Sequence, residues 1–505
     1  MDIKRVKEEF RHSLQAYFAK DMFGEYKIPV VRQRPILLIG PPGIGKTAIM
    51  EQVAREMGIG LVSYTITHHT RQSAIGLPFI EKKWFDGKEY SVTEYTMSEI
   101  LAAVYERIEQ YNQKEGILFL DEINCVSETL APMMLQFLQC KTFGNQKLPE
   151  GWVIVAAGNP PEYNKSVRDF DVVTLDRVKK MEVEQNYEVW KEYATAQNLH
   201  PAILSYLDIK KEHFYVIETA IDGKQFVTAR GWEDLSAILY EYEALQIVTD
   251  EHVVVQYLQH PAIAKDFSNY LLLFYKYQKD YDVENILNGK FDAAAVEKVR
   301  NGAFDEKLSV LGLLLAKLRE GFYKAYIEDA YVTELYEVMK QLKLVSMNDL
   351  VRISKEVENL ISNHTAKLIK EKESNQLDKD DIVIKHTIIQ CLDEMHKALL
   401  ESEDTFEVVK EVFQNKVQMR EDHIDMTANQ LANTFAFLET AFGESQEMVI
   451  FLTELTSGFY SMKFISENGS EEYYKYNKIL LFKDNEQKLL KEIENVENGY
   501  VYELK

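Results

Sequence analysis

Apolar residues near the amino terminus recur every fourth position, at Phe10, Leu14 and Phe18, with charged residues between them. That spacing predicts an amphipathic helix ahead of the loop EYKIPVVRQR. The pattern then changes to an unbroken apolar run, PILLIG, which predicts a strand covered on both faces and leads through glycines into the helical spacing of AIMEQVAREMG. GLVSYTIT predicts a second strand. After the polar loop HHTRQSAIGLP, the stretch KKWFDGKEYSV places an Asp-Gly turn signal between two strand-like runs, which predicts a hairpin. MSEILAAVYERIEQYNQ has helical spacing and precedes the apolar strand GILFLDEIN; SETLAPMMLQFLQC is again helical, FGNQKLPEG is rich in turn residues, and WVIVAAGNP is a fourth strand. Strands of Ile, Leu and Val alternating with amphipathic helices imply an α/β fold, a parallel sheet with helices on both faces.

After about residue 183 the strand signals nearly stop. NYEVWKEYATAQ, PAILSYL, WEDLSAILYEYEAL and VVQYLQHPAIAKDFSNYLLLFYKYQ all carry helical periodicity. The expected division is therefore an α/β domain over 1–183, a helical domain over 184–292, and a mainly α-helical, charge-rich region of unassigned role over 293–505. No internal period of a repeat protein is visible. The segment ENGSEEYYKYNKILLFKD, with aromatic and apolar patches on either side of a turn, is expected to form a small hairpin.

Composition narrows the functional classes. The chain has 505 residues, 46% of them hydrophobic, and its 81 acidic against 58 basic side chains give a formal net charge of -23. A broad basic face for nucleic acid is not expected, because phosphate contacts require clustered Lys and Arg. Only three cysteines are present, Cys125, Cys140 and Cys391, with no CxxC and no zinc-like spacing, which fits a reducing, cytoplasmic setting. The amino terminus lacks the apolar core of a signal peptide, and runs such as LSVLGLLLAKL and YLLLFYKY fall short of the roughly 18 residues that cross a bilayer.

GPPGIGKT, residues 40 to 47, fits the phosphate-loop pattern GxxxxGK[ST] and stands between a predicted strand and a predicted helix. Glycines let the backbone curl so that several N–H groups face one anion, and the helix that follows adds its positive amino-terminal end. Lys46 is expected to neutralise phosphate charge, and the Thr47 hydroxyl to coordinate Mg²⁺. Asp121 and Glu122 end an apolar strand. By themselves they read as an acidic turn, but beside the phosphate loop Asp121 is expected to hold the metal and Glu122 to polarise an attacking water. Asn159 ends another apolar strand and is expected to reach the γ-phosphate and the water. FDVVTLDRVKK, taken alone, is a strand or helix edge carrying a solvated arginine, Arg177. His68 and His69 are adjacent on an extended segment and point to opposite sides, so they do not make a metal pair; Arg71 and Gln72 are candidates for a pore-facing position.

Taken together, GPPGIGKT, FLDEIN, APMMLQFLQCKTFGNQKLPEGW, AAGNPPEYN, TLDRV and FVTARGWEDL resemble, in this order over about residues 30 to 245, an AAA+ ATPase of the MoxR type. The resemblance implies a P-loop NTPase sheet domain followed by a helical lid, and ATP hydrolysis assisted by Mg²⁺. It implies that the backbone from Gly40 through Pro41, Pro42, Gly43, Ile44 and Gly45 to Lys46, Thr47 and Ala48, together with Asp121, holds the nucleotide, with Thr47 and Asp121 at the metal. Asp121 and Glu122 become the Walker B pair and Asn159 sensor 1. Arg177 becomes the finger that acts on a neighbouring subunit's nucleotide, with Arg168 in the same region as its competitor, and Arg230 becomes sensor 2 of the lid. Val178 stands where the family often has Phe, and Ala229 where it usually has Pro. The family further implies self-assembly into a ring, expected to be hexameric, and chaperone-like or metal-insertion work with a von Willebrand A domain partner. No DxSxS motif occurs in this chain, so that domain is expected on a separate polypeptide. Two other readings stand beside this one, a nucleotide-controlled scaffold or switch and the motor subunit of a nucleic-acid-processing system.

Overall fold

The structure, a computed structural model, describes residues 1–68, 72, 74, 76–143, 145–163, 167, 170–220, 223–346, 352–402 and 405–478. Contacts divide it into two compact units, the first comprising Met1–Trp190, Thr228–Gly231 and Ala366–Ile382, and the second the remaining described residues. The first opens with α1 (Ile3–Phe18), β1 (Ile36–Ile39), α2 (Lys46–Met57), β2 (Gly60–Thr65), β3 (Pro78–Phe85), β4 (Lys88–Tyr95) and α3 (Glu99–Tyr111). It continues through β5 (Gly116–Asp121), α4 (Ala131–Cys140), β6 (Thr142–Phe143), β7 (Gln146–Lys147), β8 (Trp152–Gly158), the single turn α5 (Val172–Leu175) and β9 (Lys179–Glu182).

Five strands form one parallel sheet in the order β2-β5-β8-β1-β9. The expected parallel sheet with helices on both faces is therefore present. Period-two alternation along each strand sorts its side chains between two cores. Ile36, Leu38, Phe119 and Val155 pack with Val6 and Phe10 of α1 and Ile49 and Val53 of α2. Leu37, Leu118, Leu120 and Ile154 pack on the other face with Leu101 and Val104 of α3 and Met134 and Phe137 of α4. Strands covered on both faces must be apolar throughout, and every residue of β8 is buried.

The predicted hairpin is β3–β4, and its Asp86-Gly87 turn has φ of 49° and 74°, the double left-handed turn that suits strand twist. Short elements fill the turn-rich stretches. β9 is a short edge strand paired with β1, FGNQKLPEG contributes the two-residue ladder β6–β7, and VVTL forms α5 between the last loop and β9.

The second unit is mainly helical, as expected. Elements in this part of the chain are α6 (Tyr187–Ala196), α7 (Pro201–Ile209), β10 (Val216–Ala220), β11 (Gly223–Val227), α8 (Ala229–Ala244), α9 (Glu251–Leu258), α10 (Pro261–Asp280), α11 (Val283–Leu287) and α12 (Ala293–Asn301). Then come α13 (Phe304–Ser346), α14 (Ile353–Glu373), α15 (Lys379–Glu401), α16 (Phe406–Phe442), α17 (Gln446–Ser457) and α18 (Phe459–Asn468). Leu335 and Leu342 of α13, Ile388 and Leu392 of α15 and Val409 of α16 share one core. The β10–β11 hairpin departs from the helical expectation. So does the described part of the carboxyl-terminal segment, where a helix over residues 471–478 takes the place of the first arm of the expected hairpin; its second arm lies outside the described residues. Tyr473 and Tyr476, one helical turn apart, are both buried there. Among the described residues no helix is long and apolar enough to cross a membrane.

Candidate nucleotide site

Strand register decides which polar groups meet at the carboxyl end of the sheet, the edge where ligands of open parallel sheets bind. Ile39 of β1 lies opposite Gly158 of β8, so Gly40 and Asn159, the next residues on each chain, are neighbours. Thr65 of β2 lies opposite Asp121 of β5, which carries the following turn of β2 toward Glu122.

The phosphate loop runs from Gly40 to Thr47. At Gly40 a Cβ would lie 2.6 Å from the Val183 carbonyl oxygen, so the loop can pass only without a side chain. Gly45, with φ of 88°, turns the chain into α2 and leaves the helix's first N–H groups facing the loop. Those groups and the helix end form an anion cradle.

Lys46 is 9% exposed, and its ammonium donates to the carbonyl oxygens of Gly40 at 2.8 Å and Pro41 at 2.7 Å and to Asn159 Oδ1 at 3.0 Å. Burial pulls its pKa down to about 8; Asp121 opposes that shift and Arg230 adds to it. The lysine thus closes on its own loop, and an arriving phosphate would exchange carbonyl contacts for charge-assisted ones.

Asp121 and Glu122 take different partners. The Thr47 hydroxyl donates to Asp121 Oδ2 at 3.3 Å, and Asp121 Oδ1 accepts from the Glu122 backbone N–H at 2.8 Å. Two hard oxygens beside the phosphate cradle fit Mg²⁺, which Thr47 and Asp121 would hold and which would supply charge stabilisation to phosphate oxygens. Glu122 has a left-handed backbone, φ 57°, and its Oε2 accepts from the Thr67 hydroxyl at 2.8 Å. Asn124, buried, donates through Nδ2 to the Asn159 carbonyl at 2.8 Å, while Ile123 N–H bonds the Ala157 carbonyl at 2.9 Å. These two bonds stitch the turn that carries Glu122 to the strand end that carries Asn159.

Arg230 also belongs to the first unit. Its backbone N–H bonds the Gly43 carbonyl at 3.3 Å, and the Thr228 hydroxyl accepts from Gly231 N–H at 3.3 Å. Thr228 caps the start of α8, so the helix is fixed there with Ala229, rather than proline, in its first position. Lys46, Thr47, Asp121, Glu122, Asn159 and the backbone of Arg230 are therefore brought to one place. Arg177 is not. It is exposed after α5, its guanidinium bonds the Gln139 side chain, and no described hydrogen bond or ion pair links it to the phosphate loop. Arg168, His69 and Arg71 lie outside the described residues, as does the side chain of His68; Gln72 is exposed.

Thr67 and Asn124 escaped the sequence reading. Asn124 is the last residue of FLDEIN, just beyond the strand, and has no role in that reading; Thr67 belongs to no motif and is reached only through the β2–β5 register.

Residues 36–175 match the family described as ATPase family associated with various cellular activities (AAA), and this stretch is an AAA ATPase domain, of a family that hydrolyses ATP. Among solved structures the chain is similar to a protein of Cytophaga hutchinsonii assigned as an ATPase, at 17% identity over 38% of this chain and 56% of that one, with a TM-score of 0.24. It is also similar to PCH-2 of C. elegans, at 16% identity over 43% of this chain and 50% of that one, with a TM-score of 0.24. The chain thus spans about half the length of the solved proteins it matches.

Proposed function

We propose that this chain is a ring-forming ATP hydrolase of the MoxR type that remodels or matures a protein client, working with a von Willebrand A domain carried on another polypeptide. Its own residues divide the chemistry. The loop N–H groups and Lys46 bind and orient the phosphates; Glu122, on release from Thr67, polarises the attacking water. Asn159, held by Asn124, fixes that water and the terminal phosphate, while Arg230 reads the phosphate from the start of α8. Arg177 completes the site of a neighbouring copy.

The observation that carries this reading is the contrast between a tied cluster of hydrolytic side chains and one exposed arginine with no tie to that cluster. The ordered motifs from GPPGIGKT to FVTARGWEDL support the MoxR subtype and, through it, the partner. Three cysteines with no disulfide among them support a reducing, cytoplasmic setting. The test is to trap the ATP-bound state with Glu122→Gln and measure mass in solution. A closed oligomer that forms with ATP and dissociates without it is expected; a monomer at every ATP and protein concentration would sink the ring.

A further inference from the structure

A second concave site, inside the helical unit, takes no part in the nucleotide chemistry. It encloses about 650 Å³, within the usual range for small-molecule pockets, between the start of α7 and helices α8, α10, α11 and α13. At its floor His200, 1% exposed, caps α7. Its Nδ1 accepts from the Ala202 N–H at 3.2 Å, which leaves the ring proton on Nε2 for Glu243 Oε1 at 2.9 Å. Tyr275 gives Glu243 a further hydrogen bond. These donors orient the carboxylate, and Lys317 adds a Coulombic attraction without reaching ion-pair distance. Among the described residues no lysine or arginine forms an ion pair with Glu243.

The walls and rim point the same way. Tyr240 and Phe274 place aromatic rings beside the floor, with centroids 5.0 Å and 6.2 Å from the His200 ring. Four carboxylates, Glu243, Asp282, Glu284 and Glu320, line the cavity against two lysines, Lys279 and Lys317, a net of two negative charges. Lys317 is already paired with Glu320 at 3.1 Å. Glu243 is 38% exposed and Lys317 attracts it only from beyond ion-pair distance, so a cation could approach it directly in place of water, whereas an anion would be repelled. An alkylammonium would donate to Glu243 and lay its methylenes on the aromatic walls. We propose that this cavity binds a linear aliphatic diamine or polyamine, with one ammonium on Glu243 beside the exposed ring of Tyr240 and a second among the rim carboxylates.

The test is calorimetric titration of the full chain with spermidine at about physiological salt, where diffuse attraction to an acidic protein is screened. One saturable site is expected. Glu243→Gln should weaken it at least about tenfold, the scale of one charge-assisted hydrogen bond. Glu284→Gln, at an exposed rim position that folding does not depend on, should weaken it by about threefold. Glu89→Gln, on the β3–β4 hairpin of the first unit and not among the residues that line the cavity, should leave it unchanged. Binding of a fluorescent ATP analogue by each variant checks that the fold is intact. Absence of saturable heat, equal weakening by Glu89→Gln, or displacement of spermidine by equimolar MgCl₂ would each overturn the proposal.

Discussion

Asp121, Glu122 and Asn159 stand at the ends of strands whose apolar residues are all buried, and each is tied to a named partner, through Thr47, Thr67 and Lys46. In the same unit, Arg177 projects after α5, and the β3–β4 hairpin exposes Ile80 at 76% and Trp84 at 70%. The two regions use similar local chemistry under opposite constraints. A partly buried polar side chain loses much of its water and is held by partners within the fold, so its geometry is largely set before any ligand arrives. Exposed Arg177 has water as an alternative to its one side-chain partner, Gln139, and can exchange that contact at little cost. The difference is what the proposed division of labour rests on: a site whose side chains are tied together, and an exposed arginine proposed to serve a neighbouring copy.

The comparison can be broken at several points. Glu122→Gln should lower ATP turnover by about a thousandfold while ATP still binds, because the amide cannot polarise water but keeps the Thr67 contact; steady-state turnover and equilibrium binding on one preparation check this. Arg177→Ala should cost about a hundredfold in kcat with the ATP Kd unchanged, the signature of a group that acts only in the transition state. If that variant instead loses binding, the arginine works on its own loop.

Asn124→Ala should reduce kcat about tenfold and stability by about 1–2 kcal/mol, since it unties Asn159 and opens a buried gap. A positioning role predicts that KM moves little, whereas a merely structural one would lower the active fraction and leave kcat per active site intact. The next effect is pH-dependent. Bound phosphate favours the Lys46 ammonium, whereas empty Lys46 loses its proton near about 8, so ATP affinity should fall as pH rises through that value, by up to about tenfold between pH 8 and 9. Calorimetry in buffers of different ionisation enthalpy should register proton uptake on binding near pH 8, and Lys46→Arg should abolish it. The same depressed pKa means that Lys46 makes the empty protein more stable, not less, as pH climbs from about 8 toward the ordinary lysine value. Smallest of all, Trp84→Ser should shift stability by no more than about 0.5 kcal/mol in thermal unfolding, because its ring packs on little. A larger loss would mean that the hairpin is held from within.

β1, β5 and β8 were legible because double-sided burial forces continuous apolar runs, and the phosphate loop because its glycines answer steric demands that no other residue meets. β9 was not, since KKME has one buried position, Met181, and two lysines of the kind that protect sheet edges. β10–β11 was missed although Asp222-Gly223 repeats the turn signal that revealed β3–β4; its flanking strands alternate too weakly to stand out from the surrounding helices. Thr67 and Asn124 depend on register between strands distant in sequence, which no local spacing encodes. The first arm of the expected tail hairpin is a helix for a different reason: YYKY reads as strand by composition, but Tyr473 and Tyr476 are buried at helical spacing.

The central claim is that Arg177 acts across an interface, and a mixing experiment tests it most directly. Lys46→Ala protein cannot engage ATP and Arg177→Ala protein lacks the cation, so each alone should be nearly inactive. Mixed and co-assembled, they should regain ATPase activity, because some interfaces join an intact phosphate loop to an intact arginine. Continued inactivity in assemblies proven by mass to contain both variants would contradict the account.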